Sequence, residues 1–150
     1  MTAASANDVA AVQALLGRVP ACDFEVVARA SDGAPIVIRN APLMADGSPM
    51  ATRYWLVGAA EVAAVSRLES ARGVRRVQAD VDPAAIAAAH ARYAAERDAA
   101  VPRGWTGPRP HGGVGGTARG VKCLHAHYAW YLAGGDDPVG RWVADAIEGL

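Results

Sequence analysis

The chain has 150 residues, enough for one domain with a substantial core and no disulfide framework. Basic and acidic residues number 15 each, so the formal net charge is zero and no global charge favours nucleic acid or an anionic membrane. No apolar run approaches the roughly 18 residues of a membrane span, and the first residues lack a secretory signal. Two cysteines far apart in the sequence are typical of reduced thiols, so we expect a cytoplasmic protein.

The first half of the sequence predicts one helix followed by three strands. Asn7 or Asp8 can cap a short amphipathic helix. Residues 24–29 alternate with strand period, a Ser-Asp-Gly turn follows, and residues 35–39 return, which predicts a hairpin. Residues 52–57 are rich in aromatic and β-branched side chains and predict a third strand.

The second half predicts mainly helices. They cover about residues 62–72, 83–99, 120–133 and 138–147. Two of them begin with an Asp-Pro pair, which supplies a cap followed by proline. Residues 74–77 predict a short edge strand, and the Gly- and Pro-rich residues 101–119 predict a long loop. This order predicts a single α+β domain over residues 1–150, with a small antiparallel sheet of about three strands packed by four to five helices.

The stretch from residue 99 to residue 135 contains basic residues but no acidic one. Its glycines allow a ligand to approach the backbone, and the helix start expected near Gly120 offers free N–H groups and a partial positive charge. The loop is not a P-loop, because the Gly-Lys-Ser/Thr sequence is absent. We therefore predict binding of a phosphate-bearing or other anionic small molecule here, the alternative being a solvated, mobile loop. The predicted site residues are Arg119, Gly120, Lys122, Cys123 and His125.

Cys123, His125 and His127 stand at alternate positions. On a helix, Cys123 and His127 share a face and His125 points about 200° away, since each residue turns about 100°. The candidate metal ligands are then Cys123, His127 and His90, fewer than the four of a closed zinc site. We therefore predict no bound metal or other cofactor, and a zinc content that Cys123→Ser leaves unchanged. A thiol at a helix start is also a candidate nucleophile, with His127 or His90 as its partner.

Short motifs are spread over most of the chain. The most specific is Val121-Lys-Cys-Leu-His125, followed by Leu132-Ala133. The looser motifs are Leu16-Gly-Arg-Val-Pro20, Asp46-Gly-Ser-Pro49, Thr52-Arg-Tyr-Trp-Leu56, Ser66-Arg-Leu-Glu69 and His90-Ala-Arg-Tyr-Ala-Ala-Glu-Arg-Asp98. Together these motifs resemble the actinobacterial DUF501 family, a domain of unknown function. The resemblance implies a cytosolic protein whose gene tends to lie near those of a septum-formation initiator and an exopolyphosphatase-like phosphatase.

The chain also departs from the family pattern. Many relatives have cysteine where this chain has Ala30 and Gly58, and some have histidine where it has Trp130. If relatives bind a metal through those positions, the resemblance implies that this chain has lost most of that site. Lys122, Cys123 and His125 of the most specific motif are kept.

Three hypotheses for the function follow. The leading one is binding of an anionic small molecule at the Gly-rich loop and helix start near Gly120. The second is a protein-interaction factor linked to cell division or polyphosphate metabolism, without a ligand of its own, which an exposed apolar patch at Trp130 or Trp142 would favour. The third is an enzyme that uses Cys123 or a metal, which requires a pocket containing Cys123 and a histidine. We expect no membrane or nucleic-acid partner.

Overall fold

The computed structural model describes residues 3–149, which form six α-helices and a three-stranded antiparallel sheet. The strands are β1 (Phe24–Arg29), β2 (Pro35–Asn40) and β3 (Tyr54–Leu56). The helices are α1 (Ala6–Leu16), α2 (Ala59–Ser70), α3 (Gly73–Asp80), α4 (Pro83–Ala99), α5 (Leu124–Leu132) and α6 (Pro138–Glu148). The predicted α+β class is confirmed, and the helix count within the described residues is slightly above the four to five expected. None of these helices is both long and apolar enough to cross a membrane.

Local sequence sets the starts of three helices. The carboxylates of Asp82 and Asp137 accept N–H groups in the first turns of α4 and α6, and proline is the first residue of each helix. At α1 the cap is Ser5, whose hydroxyl accepts the Asp8 N–H at 3.1 Å, and not the predicted Asn7 or Asp8. Both Asp-Pro starts therefore form where the sequence predicts them.

The sheet has the order β1-β2-β3, and β1 and β2 form the predicted hairpin. Successive residues of β2 face opposite sides of the sheet, as strand geometry requires. Val37 packs with the core that includes α5, whereas Ile38 packs with Val12 of α1 on the other face. The third strand is shorter than predicted, because its pairing with β2 is limited to three residues.

The centre of the molecule lies where β3, α4 and α5 meet. Tyr93 of α4 is fully buried, with its ring edge-on to Trp130 at 5.2 Å and to Tyr54 at 6.2 Å between centroids. Edge-to-face contacts at these distances are favourable for aromatic rings. A second apolar cluster joins α2, α3, α4, α5 and α6 and includes Leu68, Ile86 and Leu124.

The prediction of an edge strand at residues 74–77 is wrong, because these residues lie in α3. Val77 is fully buried, and Val74 and Val81 are partly buried against the same cluster. Apolar residues three and four positions apart occupy one face of a helix, whereas a strand would bury alternate residues. The segment is too short for that spacing to be recognised from sequence alone.

The predicted helix start near Gly120 is also wrong, because α5 begins at Leu124. Gly120 has a φ of 61°, outside the range of a right-handed helix. The next N–H, that of Val121, donates to Oε1 of Gln78 at 2.9 Å. Cys123 is extended and immediately precedes the helix. The segment before Leu124 is therefore held by side-chain contacts and not by helical hydrogen bonds.

The loop over residues 101–119 contains a short 3-10 turn and packs in part against α4. Val114 is fully buried, and its N–H donates to Nδ1 of His90 at 3.0 Å. Nη1 of Arg97 donates to the carbonyl of Gly112 at 2.9 Å. The loop is thus a structural component of the core and not simply a solvated connection.

Candidate functional site

The start of α5 brings a thiol, an imidazole and a carboxylate together. Sγ of Cys123 lies 3.8 Å from Nδ1 of His125. The same Nδ1 lies 3.3 Å from Oε2 of Glu69, which α2 carries. One side-chain atom from each of the three residues lies within 4.8 Å of the other two. We refer to Glu69, Cys123 and His125 as the thiol cluster.

Hydrogen bonds orient two members of the thiol cluster. Nε2 of His125 lies 3.1 Å from Oγ of Ser66. Oε2 of Glu69 accepts the N–H of Leu124 at 2.8 Å. Ser66 and Glu69 are three residues apart on α2 and so share one face, which lies against the start of α5. Packing of these two helices therefore assembles the cluster.

Electrostatics within the cluster favour a charged thiol and a charged imidazole. Burial raises the pKa of the Cys123 thiol, but the hydrogen bond with His125 and the N–H of Ala126 lower it by more. The pKa of that thiol consequently lies below its ordinary value. The hydrogen bond with Cys123 raises the pKa of His125 despite burial, and the charge of Glu69 adds to the effect. The thiolate and the imidazolium stabilise each other.

The thiol cluster opens on a cleft of about 300 Å³, which Cys123 and His125 both line. Trp55 and Arg18 form part of its wall, with the guanidinium carbon of Arg18 5.4 Å from the centre of the Trp55 ring. The enzyme hypothesis requires a pocket with Cys123 and a histidine, and this cleft contains both. The histidine is His125 and neither of the two predicted partners.

The histidines predicted as partners or co-ligands of Cys123 belong to another part of the core. His127 is fully buried, and its Nδ1 is 2.6 Å from Oδ2 of Asp137. Its ring is 5.6 Å from that of His90, which is also buried. Cys123 is extended and precedes the helix, and its thiol contacts His125. Among residues 3–149, Cys123 therefore groups with Glu69 and His125, and not with the candidate ligands His127 and His90.

The charged residues of the predicted anion site, Arg119 and Lys122, have exposed side chains and do not line the cleft beside Cys123. The free N–H groups expected at the helix start are partly taken, since that of Leu124 is bound by Glu69. The negative charge of the Glu69 carboxylate also repels an anionic ligand that approaches this end of α5. Anion binding by Arg119 and Lys122 stays a prediction. The helix start on which that prediction relied lies at Leu124 and not near Gly120.

A larger cleft, of about 520 Å³, lies beside β2 and the C-terminal end of α4 and is lined by Glu25, Arg39 and Arg53 among others. We call it the arginine cleft. Nε of Arg39 donates to Oε1 of Glu25 at 2.7 Å. Arg53 is only 9% exposed, and its Nη1 donates to the carbonyl of Asn40 at 2.6 Å. Nε of Arg53 has no hydrogen-bond partner among residues 3–149.

Burial lowers the pKa of Arg53, and the positive charge of Arg39 lowers it further, while Glu96 and Glu25 act in the opposite direction. A guanidinium keeps its charge even so, because its ordinary pKa is far above neutral. Sequence reasoning did not select Arg53. The available signal was its position as the one charged residue of the predicted third strand, residues 52–57.

The apolar patch that would favour a protein-interaction role is not formed by the predicted tryptophans. Trp130 is 3% exposed, and Nε1 of the half-buried Trp142 donates to Asp80 at 2.9 Å. Large exposed apolar side chains within the described part of the chain include Leu15 and Val19, at and beyond the end of α1. Single exposed apolar residues are ordinary on protein surfaces.

A family model for DUF501, described as a protein of unknown function, matches residues 26–145. The chain belongs to the DUF501 family. The matched DUF501 region contains all three residues of the thiol cluster and both arginines of the arginine cleft. No curated protein and no solved structure matches the chain. The description of DUF501 assigns no activity.

Proposed function

We propose that the protein binds a small anionic molecule in the arginine cleft. The observation that carries this proposal is Arg53, a guanidinium nine-tenths buried whose Nε has no partner within residues 3–149. A buried charge without a matching opposite charge is costly, and an anion in the cleft removes that cost. The fork of a guanidinium also matches the geometry of a phosphate or carboxylate.

The charge balance of the cleft supports the same ligand class. Glu25 and Arg39 neutralise each other through a hydrogen-bonded ion pair. Within the described residues, Arg53 makes no contact of this kind with a carboxylate, since its side-chain hydrogen bond goes to a neutral carbonyl. The charged side chains that line the cleft therefore sum to one positive charge, while the exposed Glu96 outside the lining also acts on Arg53.

The size of the cleft favours a small molecule over a macromolecule. Its volume of about 520 Å³ lies within the range of roughly 300–1,000 Å³ that is usual for small-molecule sites. Pro42, Leu43 and Pro102 add apolar lining beside the charged groups. A ligand with an anionic group and an apolar portion fits this combination.

The test is a thermal-shift and calorimetric titration of the purified chain with inorganic phosphate, pyrophosphate and citrate. A ligand at about 100 times its Kd stabilises by about 2.7 kcal/mol, which raises the melting temperature by several degrees. Arg53→Lys keeps a positive charge but loses the guanidinium fork, so we expect binding to weaken about tenfold or more. Glu25→Gln removes the carboxylate that pairs with Arg39, which frees a second guanidinium for the ligand. We therefore expect this variant to bind the anions more tightly than the wild type.

Arg119→Ala and Lys122→Ala are the matched controls, because they remove exposed positive charges outside the arginine cleft. We expect both variants to bind the anions as the wild type does. Loss of binding in these two variants alone would favour the site predicted from sequence. If no anion shifts the melting temperature of the wild type or of Glu25→Gln, the proposal is wrong. That result would favour the protein-interaction and enzyme hypotheses.

A further inference from the structure

We infer that Glu69, Cys123 and His125 form a binding site for one zinc ion, with a fourth coordination position open to the cleft beside Cys123. This inference is independent of the arginine cleft, which contains none of the three residues. It also revises the ligand count made from sequence, which included His127 and His90 and omitted Glu69. A thiolate, an imidazole and a carboxylate together suit zinc and not magnesium or calcium, which prefer oxygen ligands.

One of the three distances between the side chains matches that of a tetrahedral site, and a second is close to it. Zinc–ligand bonds of about 2.0–2.3 Å place two ligand atoms about 3.3–3.6 Å apart in a tetrahedron. Nδ1 of His125 lies 3.3 Å from Oε2 of Glu69 and 3.8 Å from Sγ of Cys123. The sulfur and carboxylate atoms lie within 4.8 Å of each other. A rotation of the Cys123 side chain that moves Sγ toward Oε2 of Glu69, by up to about 1.3 Å, would complete the geometry.

The groups around the cluster are those that orient metal ligands. A zinc-bound histidine usually makes a hydrogen bond through its other ring nitrogen, which fixes the tautomer and the ring plane. Nε2 of His125 has such a partner in Ser66 Oγ, at 3.1 Å, which leaves Nδ1 directed at the other two ligands. The Leu124 N–H holds the Glu69 carboxylate in the same way, at 2.8 Å.

The charge of the cluster also suits a divalent cation. Cys123 as a thiolate and Glu69 as a carboxylate supply two negative charges, which balance the charge of one zinc ion. Both His125 and Glu69 are half-buried, with side chains 25% and 30% exposed, so an ion can enter from solvent. Three protein ligands leave one tetrahedral position for water or for an anionic or thiol-bearing ligand from the cleft.

The experiment is a titration of the untagged, reduced and metal-stripped full-length chain with Co²⁺, followed by displacement with Zn²⁺. We expect one equivalent of Co²⁺ to produce the thiolate-to-cobalt charge-transfer band and the intense visible bands of tetrahedral cobalt. Cys123→Ser should abolish the charge-transfer band. Cys22→Ser is the matched control, because Cys22 is the chain's other cysteine, and this variant should keep the band.

Two further variants keep the test informative if Cys123→Ser folds poorly, which circular dichroism will show. Ser66→Ala removes the partner of His125 and should weaken metal binding about 10–100-fold. Glu69→Gln can still accept the Leu124 N–H but is a poorer ligand, so it should also weaken binding. The inference is overturned if the wild type gives no thiolate band, if Cys22→Ser removes it, or if Ser66→Ala and Glu69→Gln bind as tightly as the wild type.

Discussion

The hydroxyl oxygen of Tyr93 accepts a hydrogen bond from the backbone N–H of Arg53 at 2.6 Å. It also accepts the N–H of Tyr54, the first residue of β3, at 3.2 Å. Burial raises the pKa of Tyr93 to about 12, so the hydroxyl stays neutral throughout the physiological range. A side chain of α4 thus fixes the backbone that carries the buried guanidinium of the arginine cleft.

Tyr93→Phe should destabilise the fold and weaken anion binding together. The substitution removes the shared acceptor of two buried N–H groups, which costs about 1–3 kcal/mol. Urea unfolding measures the stability, and titration with pyrophosphate measures the binding. Tyr128→Phe is the control from a half-buried tyrosine and should change stability by no more than about 0.5 kcal/mol. Unchanged stability of Tyr93→Phe would contradict the role given to its hydroxyl.

Asp137 has two structural roles, and substitution separates them. Its Oδ1 accepts the Val139 N–H at 3.0 Å as the cap of α6, and its Oδ2 lies 2.6 Å from Nδ1 of the buried His127. Asp137→Ser keeps a capping hydroxyl but leaves the histidine without its partner, so we expect a loss of about 1–3 kcal/mol. Asp137→Ala should lose a further 0.5–2 kcal/mol or so, because the cap is removed as well.

Asp82 provides the matched control for this experiment. It caps α4 through the Ala84 N–H at 3.0 Å, again with proline as the first helical residue, but it is exposed. Asp82→Ser should therefore be nearly neutral in urea unfolding. Equal effects of the serine substitution at Asp82 and Asp137 would show that the contact with His127 contributes nothing to stability.

Much of this fold can be predicted from the sequence, because local signals agree with the packing. The hairpin follows from alternation around a Ser-Asp-Gly turn, and the Asp-Pro pairs mark the starts of α4 and α6. The start of α5 could not be predicted in the same way. No glycine, proline or capping residue at positions 121–123 marks Leu124 as the first helical residue, and the Gln78 side chain, distant in sequence, binds the Val121 N–H.

The thiol cluster shows why site prediction was less successful than fold prediction. Cys123 and His125 were selected from sequence, but a helix that includes both would place them on different faces. The extended backbone at Cys123 brings their side chains together. Glu69 joins them only because α2 packs on the start of α5, a long-range contact that spacing along the chain does not reveal. Arg53 was missed for a related reason, since its burial, which Arg97 shares, is not visible in the sequence.

His90 joins α4 to two points along the Gly-rich segment, Val114 and Gly120, and has a hydrogen-bond pattern that requires a neutral ring. Its Nδ1 accepts the Val114 N–H at 3.0 Å, and its Nε2 lies 2.7 Å from the carbonyl of Gly120, to which it donates. A proton added to Nδ1 would face the Val114 N–H and break that bond. Burial lowers the pKa of His90, the Gly120 carbonyl raises it, and the charges of His127 and Asp137 act in opposite directions.

Acid should therefore destabilise the native state through His90. In the unfolded chain a histidine binds its proton with a pKa of about 6.5, whereas the folded chain binds it only at lower pH. The stability from His90 is fully present above about pH 6.5 and is lost as the pH falls toward the lowered pKa of the folded state.

His90→Gln removes this titration, so the unfolding free energy of this variant should fall less steeply than that of the wild type between about pH 7 and 5. The difference in slope can reach about 1.4 kcal/mol per pH unit, the value for one proton. Urea unfolding at several pH values measures it, with the exposed His111→Gln as the control that should keep the wild-type slope. Equal slopes for the wild type and His90→Gln would show that this histidine does not govern the acid sensitivity of the fold.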